Sequence, residues 1–427
     1  MRSPARNPTS RLAIVDALRG SALLGILLLH AIEHWELLRY PADSPAWLHK
    51  LNMQTDEFGI FLFSGKAYAI FAMMFGLSFH LILNRWSKRE GNVEGRYLWR
   101  LAVLGIFGYL NGLIYCGDIL LVLAVLGIPL VWLNRLGNRA LLGISVILVL
   151  QIPLLWETVR VLSDQGFQPP PHRYLAINEA LYNVFANGSF IDVIKANLWQ
   201  GQLSRIWWTI ETGRHTQMLG LFIWGMLLGR ARVFENSAYA VRLAKRALLC
   251  GLIGFAAISA VKWYSGAWGL TDMRLYVLHN LLISYNHLAL MAVWVGGFVL
   301  LYQWTMPRML FRLLEPLGRM SLTCYVTQGL FSVPLFYGFG LALYRTMGPF
   351  YSVLYGALFF LIQAGVAHLW LMHFQYGPLE WLWRCATFTT FQVPFRRRQE
   401  SASENEVCPN PNWPKPDLPI IVTDDRH

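Results

Sequence analysis

Apolar residues run along this chain in long stretches, and most of the charge falls in the gaps between them. Stretches free of Asp, Glu, Lys and Arg cover Leu101–Gly117, Ile119–Asn134, Ala140–Trp156, Leu275–Pro307, Met320–Tyr344 and Thr346–Leu379. A helix rises 1.5 Å per residue, so about 20 apolar residues cross a hydrocarbon core of ~30 Å. The pattern predicts ten helices, near residues 12–32, 58–83, 98–115, 118–134, 139–157, 215–230, 246–264, 284–304, 319–343 and 350–373. The predicted fold class is therefore all-α, a polytopic membrane helix bundle occupying residues 1–393. The polar, Pro-containing remainder, 394–427, lacks apolar periodicity and reads as a disordered tail.

One connector, about 158–214, is too long to be a plain loop. After Pro169–Pro171 it carries two amphipathic stretches, Asn178–Asn187 and Ser189–Trp199. In the second, Phe190, Val193, Ile194 and Leu198 share a face, which suits a helix lying on the membrane or capping a cavity.

Composition narrows the function classes. Of the 427 residues only 14% are charged and 55% are hydrophobic, with a mean hydropathy of +0.40. A soluble domain needs roughly 25% charge to cover its surface, so a soluble enzyme, a disordered hub and a nucleic-acid-binding module are poor fits. The partner that this composition implies is the lipid bilayer, in a multi-pass membrane protein. The net charge of +12 follows from topology: with both termini inside, 24 Lys and Arg fall in inner segments and nine in outer loops. The first apolar run contains Asp16 and Arg19 and no small-residue cleavage site follows, so it reads as an uncleaved span. Five scattered cysteines, with no CxxC spacing, indicate neither a disulfide framework nor a zinc ribbon.

Ionisable groups inside spans carry the functional signal, because charge in hydrocarbon costs at least ~2.5 kcal/mol. The first helix holds Asp16, Arg19, His30, Glu33 and His34. Arg19 and His30 are eleven residues apart, which places them within about 20° of one face and about 16 Å apart along the axis. Outer span ends add Asp118, Glu211, His215, Asn286 and His287, a set that an outward polar cavity would gather. Lys66, a third of the way in from outside, pairs most simply with a carboxylate such as Asp118, and Asp16 with Arg19 or an inner arginine. Glu380 and Arg384 are spaced for a helix salt bridge. His30, Glu33 and His34 also spell H-x-x-E-H, so a metal-dependent hydrolase is one alternative reading, although no metal site is assigned.

Several blocks of the chain resemble the YeiB-like family of membrane proteins: Val15–Ala31 (VDALRGSALLGILLLHA), Phe61–Leu81, Tyr115–Leu120 (YCGDIL), Glu315–Gln328 and Tyr376–Arg384 (YGPLEWLWR). The topology and the first-helix Leu-Arg-Gly are also similar to acyltransferase-3 and heparan-glucosaminide N-acetyltransferase-type proteins. In acyltransferase-3 proteins that arginine is paired with a histidine toward the outer end of the same helix, a pattern that Arg19 and His30 match. The resemblance implies acyl transfer across the membrane, with no bound cofactor and with acyl-CoA (acetyl-CoA) as co-substrate. Arg96 and Arg100, four apart, would then face the CoA phosphates, with Arg19, Lys66, Asp118, His215 and His287 as further substrate-binding residues. His30 would act as general base toward a glycan or lipid acceptor at the outer face, with Glu33, Asp56 or Glu57 orienting its imidazole. A transporter or lipid-handling protein using the same cavity without catalysis is the other alternative. Neither the acceptor nor the oligomeric state is written in the sequence.

Overall fold

The computed structural model describes residues 9–397 apart from 36, 38–40, 42, 88–91 and 165. Helices dominate these residues; the only extended pairing among them is an isolated bridge between Phe374 and Arg396. The first part of the bundle comprises α1 (Thr9–His30), α2 (Ala46–Phe63), α3 (Ala67–Trp86), α4 (Val93–Ile114), α5 (Leu120–Gly127), α6 (Pro129–Leu133), α7 (Asn138–Val149) and α8 (Ile152–Ser163). The long connector folds into α9 (Arg173–Asn187), α10 (Phe190–Ala196) and α11 (Gln202–Glu211). There follow α12 (Arg214–Arg230), α13 (Ser237–Ser265), α14 (Asp272–Leu301), α15 (Thr305–Arg312) and α16 (Glu315–Arg319). Then come α17 (Ser321–Phe336), α18 (Pro349–His373) and α19 (Pro378–Phe388).

All ten predicted positions carry helix, but their lengths differ from ten uniform spans. Six helical stretches are long and apolar enough to cross a membrane, seven if α7 and α8, bent by 41°, count as one. The α7–α8 bend falls at Gln151, a buried residue with φ of 50°. Its side-chain amide donates to the carbonyl of Gly213 at 2.9 Å, and its carbonyl accepts from Ser284 at 2.6 Å. A break that would expose backbone to lipid is thus tied to two neighbouring elements. With several apolar spans in one bundle, the chain is a multi-pass membrane protein.

The core is built around α1 and α12. α1 is covered by α3, α16, α17 and α18, so Ala17, Leu18, Ala22, Leu23 and Leu27 are fully buried. α12 packs on α3 and α7, and two glycines permit the approach. A Cβ at Gly76 would run into the Phe222 carbonyl, and one at Gly225 into that of Met73, so each helix places a small residue against the other's backbone.

Past α19 the chain folds back. Gln375 N–H donates to the Phe395 carbonyl at 2.9 Å, Arg397 N–H to that of His373 at 3.0 Å, and the Phe395 ring rests on Trp370, Phe374 and Trp381. Residues 394–397 therefore belong with the bundle rather than with a disordered tail, because Phe395 has an aromatic pocket to fill. Residues 398–427, the rest of that predicted tail, lie outside the described residues.

Candidate functional site

The N-terminal end of α1, the last turn of α3 and the first turns of α4 meet at one end of the bundle, and their arginines surround a cavity of about 300 Å³. Arg19, Arg85, Arg100, Arg319 and Arg384 line it together with Glu380. Arg19 is held in place by three acceptors: Asp16 at 3.1 Å, the Gly318 carbonyl at 3.1 Å and the Ser78 hydroxyl at 2.8 Å. The predicted Asp16–Arg19 pair is present. Arg100 lies over the Trp383 ring, 3.5 Å from its centroid. Arg96 is not in this cavity; it is exposed and sits 5.7 Å from the Phe388 ring centroid. One helical turn separates the two arginines, and the packing of α19 against α4 decides which of them turns inward.

The expected Glu380–Arg384 salt bridge does not form. Glu380 instead accepts from Leu322 N–H at 2.7 Å, Thr323 N–H at 3.0 Å and the Thr323 hydroxyl at 2.6 Å, capping the start of α17. Arg384 stacks over Tyr376 at 4.2 Å. Three donors at the start of a helix satisfy the carboxylate more fully than a single i,i+4 arginine would.

Toward the opposite end lies a larger cavity of about 540 Å³. α1 contributes Ile26, Leu29 and His30, and the π-helical turn that continues it, Ala31–Trp35, contributes Glu33. The turn after α4 adds Cys116, Gly117 and Asp118, and the long connector closes over them with Tyr182, Ser204, Arg205 and Trp208. The connector thus covers the cavity through α9 and α11, whereas no residue of the amphipathic stretch Ser189–Trp199 lines it. Val193 faces inward as expected, whereas Phe190 and Leu198 are exposed.

His30 is 9% exposed, with its ring centroid 5.0 Å from that of Tyr115 and 6.1 Å from that of Tyr325. Asp118 is buried and paired with Arg205, whose Nη1 donates to the Asp118 carbonyl at 3.0 Å and to its carboxylate at 3.3 Å. The same carboxylate accepts from Asn111 at 2.8 Å and from Leu120 N–H at 3.0 Å, so it also caps α5. Burial pushes the Asp118 carboxyl up to about 6 against the opposing pull of Arg205. Burial also pushes the Cys116 thiol up to about 11, which keeps it protonated at neutral pH and unsuited to nucleophilic attack.

Of the residues singled out from the sequence, His30, Glu33 and Asp118 line one cavity and Arg19 and Arg100 the other, whereas Arg96, Lys66, His215 and His287 lie elsewhere. Lys66 is 2% exposed and donates to the Ile60 carbonyl at 3.4 Å instead of pairing with Asp118, whose partner is Arg205. His215 turns its Nδ1 to the Thr209 carbonyl at 3.1 Å and lines none of these cavities. His287 lines an adjoining cavity of about 540 Å³ near Pro169–Pro171, Glu211 and Tyr276. Its ring lies where a Cβ of Gly65, at φ 75°, would be, so that position requires glycine twice over. The side chain of His34 lies outside the described residues, and among these no group of three or more His, Cys, Asp or Glu is placed to hold a metal.

Arg205 and Arg214 are the site residues that sequence reading misses. Both read as ordinary charges of a long connector, yet both line the larger cavity. The discoverable signal is local: Gln202–Glu211 interleaves Arg205 with Ile206, Trp207 and Trp208, which is unusual for a solvated loop.

Similar proteins match almost the whole chain. The model of the family described as "Protein of unknown function (DUF418)" matches residues 228–390. "Uncharacterized protein YxaH" of Bacillus subtilis (strain 168) is 26% identical over 90% of this chain and 95% of its own length. "Uncharacterized 39.9 kDa protein in amylase 3'region" of Bacillus acidopullulyticus is 27% identical over 88% and 94%. "Uncharacterized protein YeiB" of Escherichia coli (strain K12) is 26% identical over 87% and 95%. No solved structure matches the chain. The family model covers the C-terminal spans and the relatives extend the match across α1 and both cavities, so the chain is similar to YeiB-like proteins over almost its whole length.

Proposed function

We propose that this protein is a membrane-embedded acyltransferase that moves an acyl group from cytoplasmic acyl-CoA to an acceptor at the outer face of the bacterial inner membrane. The observation that carries this reading is the sharing of walls between the two cavities. α1 presents Arg19 to one and His30 to the other, α3 presents Phe75 and Tyr68, and α5 with its preceding residue presents Leu123 and Ile119. Three helices thus line both cavities, and an acyltransferase would run the pantetheine arm along them from the arginines toward the imidazole.

The basic end is the cytoplasmic one by the distribution of Lys and Arg. There, Arg85, Arg100, Arg319 and Arg384 suit the phosphates of CoA, since guanidinium pairs phosphate oxygens through two parallel donors. At the far end, His30 takes the proton of an acceptor hydroxyl or amine as its oxygen or nitrogen attacks the thioester carbon. The C–S bond breaks, the CoA thiolate leaves, and the proton held by His30 passes to it, so that no charge or atom is left over. Glu33, in the same cavity, stabilises the imidazolium formed in between.

Calorimetry of detergent-purified protein with acetyl-CoA, with ATP and free CoA as controls, tests the reading. Micromolar binding selective for the CoA moiety supports it. Absence of binding to folded protein refutes it and leaves transport as the use of the cavity.

A further inference from the structure

Arg205 is buried to more than nine-tenths, and only one of its three guanidinium nitrogens is satisfied. Nη1 is held by Asp118, whereas Nε and Nη2 find no hydrogen-bond partner among the described residues. The guanidinium lies directly over Gly112 of α4, where a Cβ would meet it, so its position on the cavity wall is fixed by packing. Arg214, at the start of α12, lines the same cavity, with its guanidinium carbon 4.6 Å from the Tyr68 ring centroid and 5.0 Å from that of Trp208. Its Nε is likewise buried without a partner among the described residues. A buried charged donor left without a partner is destabilising.

The charges in this cavity are divided between two walls. Glu33 and Asp56 come from the α1 and α2 side, where His30 also lies; the arginines come from α11 and α12. Asp118, the acid on the arginine side, is engaged with Arg205, Asn111 and the start of α5, and Glu179 is exposed at the rim. Tyr68, Tyr174, Tyr182 and Trp208 supply flat apolar surfaces between the walls. Rings of this kind accept the apolar faces of a sugar, and about 540 Å³ is the size of a small-molecule site.

We propose that Arg205 and Arg214 form an oxyanion-binding subsite, and that the cavity takes a sugar-sized ligand carrying a phosphate or carboxylate. Seated with its anionic group on the arginines, the ligand turns its opposite end toward His30. This deepens the acyltransferase reading by naming the acceptor's chemistry; the acceptor role rests on that reading, whereas binding itself does not. The same anionic group can come from a soluble sugar phosphate or from an anionic lipid headgroup.

The probes are glucose 6-phosphate, glucuronate and uncharged glucose, titrated into protein held in a neutral detergent and in phosphatidylcholine nanodiscs with or without phosphatidylglycerol. The variants are Arg214→Gln and the double change Arg205→Gln with Asp118→Asn, which removes both charges of the buried pair together and so limits the effect on folding. The anionic probes bind, glucose binds more weakly by about tenfold or more, and each variant loses about tenfold or more in affinity for the anions alone. Displacement of glucose 6-phosphate by phosphatidylglycerol assigns the subsite to a lipid headgroup, and undisturbed binding assigns it to a soluble anion; both support the subsite. Equal binding of glucose and glucose 6-phosphate, no binding of either anion and no effect of phosphatidylglycerol, or unchanged anion affinity in folded variants would overturn it. Acetyl-CoA is titrated in parallel: if wild-type protein binds the anions but not acetyl-CoA, the acyl-transfer reading fails and the subsite stands.

Discussion

The guanidinium of Arg205 and the carboxylate of Asp118 meet at 3.3 Å across 87 positions of sequence, both shut away from solvent. The pair joins the capping connector to the turn between α4 and α5, and so fixes the roof of the larger cavity to its wall.

Replacing Arg205 by Gln leaves Asp118 buried without a counter-charge, and the fold should lose about 3 kcal/mol at pH 7.5. The loss should shrink as the pH falls. Asp118 already sits near 6 in the intact pair, above its ordinary 3.8, and without Arg205 it rises further. A carboxyl whose folded value lies above its unfolded value holds its proton more tightly when folded, so its ionisation lowers stability as pH rises through that window. Thermal unfolding of both proteins between pH 5 and 7.5 checks this; a gap that stays constant with pH would mean Asp118 is not the group involved.

His30→Ala should lower acyl transfer by at least about 10²-fold while leaving acetyl-CoA affinity unchanged, because the imidazole lines a different cavity from Arg85, Arg100, Arg319 and Arg384. Transfer measured with radiolabelled acetyl-CoA in membranes, beside calorimetry on the pure variant, separates the two effects. Equal transfer by variant and wild type would remove His30 from the mechanism.

Arg100→Gln should weaken acetyl-CoA binding by about tenfold, and Arg96→Gln should not. The first side chain lines the basic cavity over Trp383 and the second stands outside it over Phe388. Identical affinities for the two variants would place CoA elsewhere.

How much of this was legible in the sequence depends on range. The common face of Arg19 and His30 is a property of a single helix, and 3.6-residue periodicity reveals it. The helices at all ten positions follow in the same way from local hydropathy. Arg205 was illegible because its role is created by a partner 87 residues away. Sequence alone pairs Lys66 with Asp118 because it does not show that distant partner. Glu380 and Arg384 obey the local i,i+4 rule on paper, but the start of α17 offers Glu380 three donors that no sequence window contains. Arg96 and Arg100 are indistinguishable by spacing, and only α19 tells them apart.

Gly225→Val should destabilise the bundle by about 1–3 kcal/mol, since the added atoms meet the Met73 carbonyl of α3, a backbone that cannot step aside. Unfolding in mild detergent is the measurement, and a variant as stable as wild type would show that α3 and α12 are not in contact as closely as described.

The glycine contact between α3 and α12 bears on how the chain is made. α12 has 17 residues, about 26 Å of helix, and is enclosed by neighbours rather than by lipid. A segment so short, with Arg214 and His215 at its start, is a weak stop for a translocating chain. α3 and α7 are synthesised first and offer it a fitted groove. Its entry into the bilayer is therefore an act of docking as much as of partitioning, and membrane integration and tertiary folding merge at this helix into a single event.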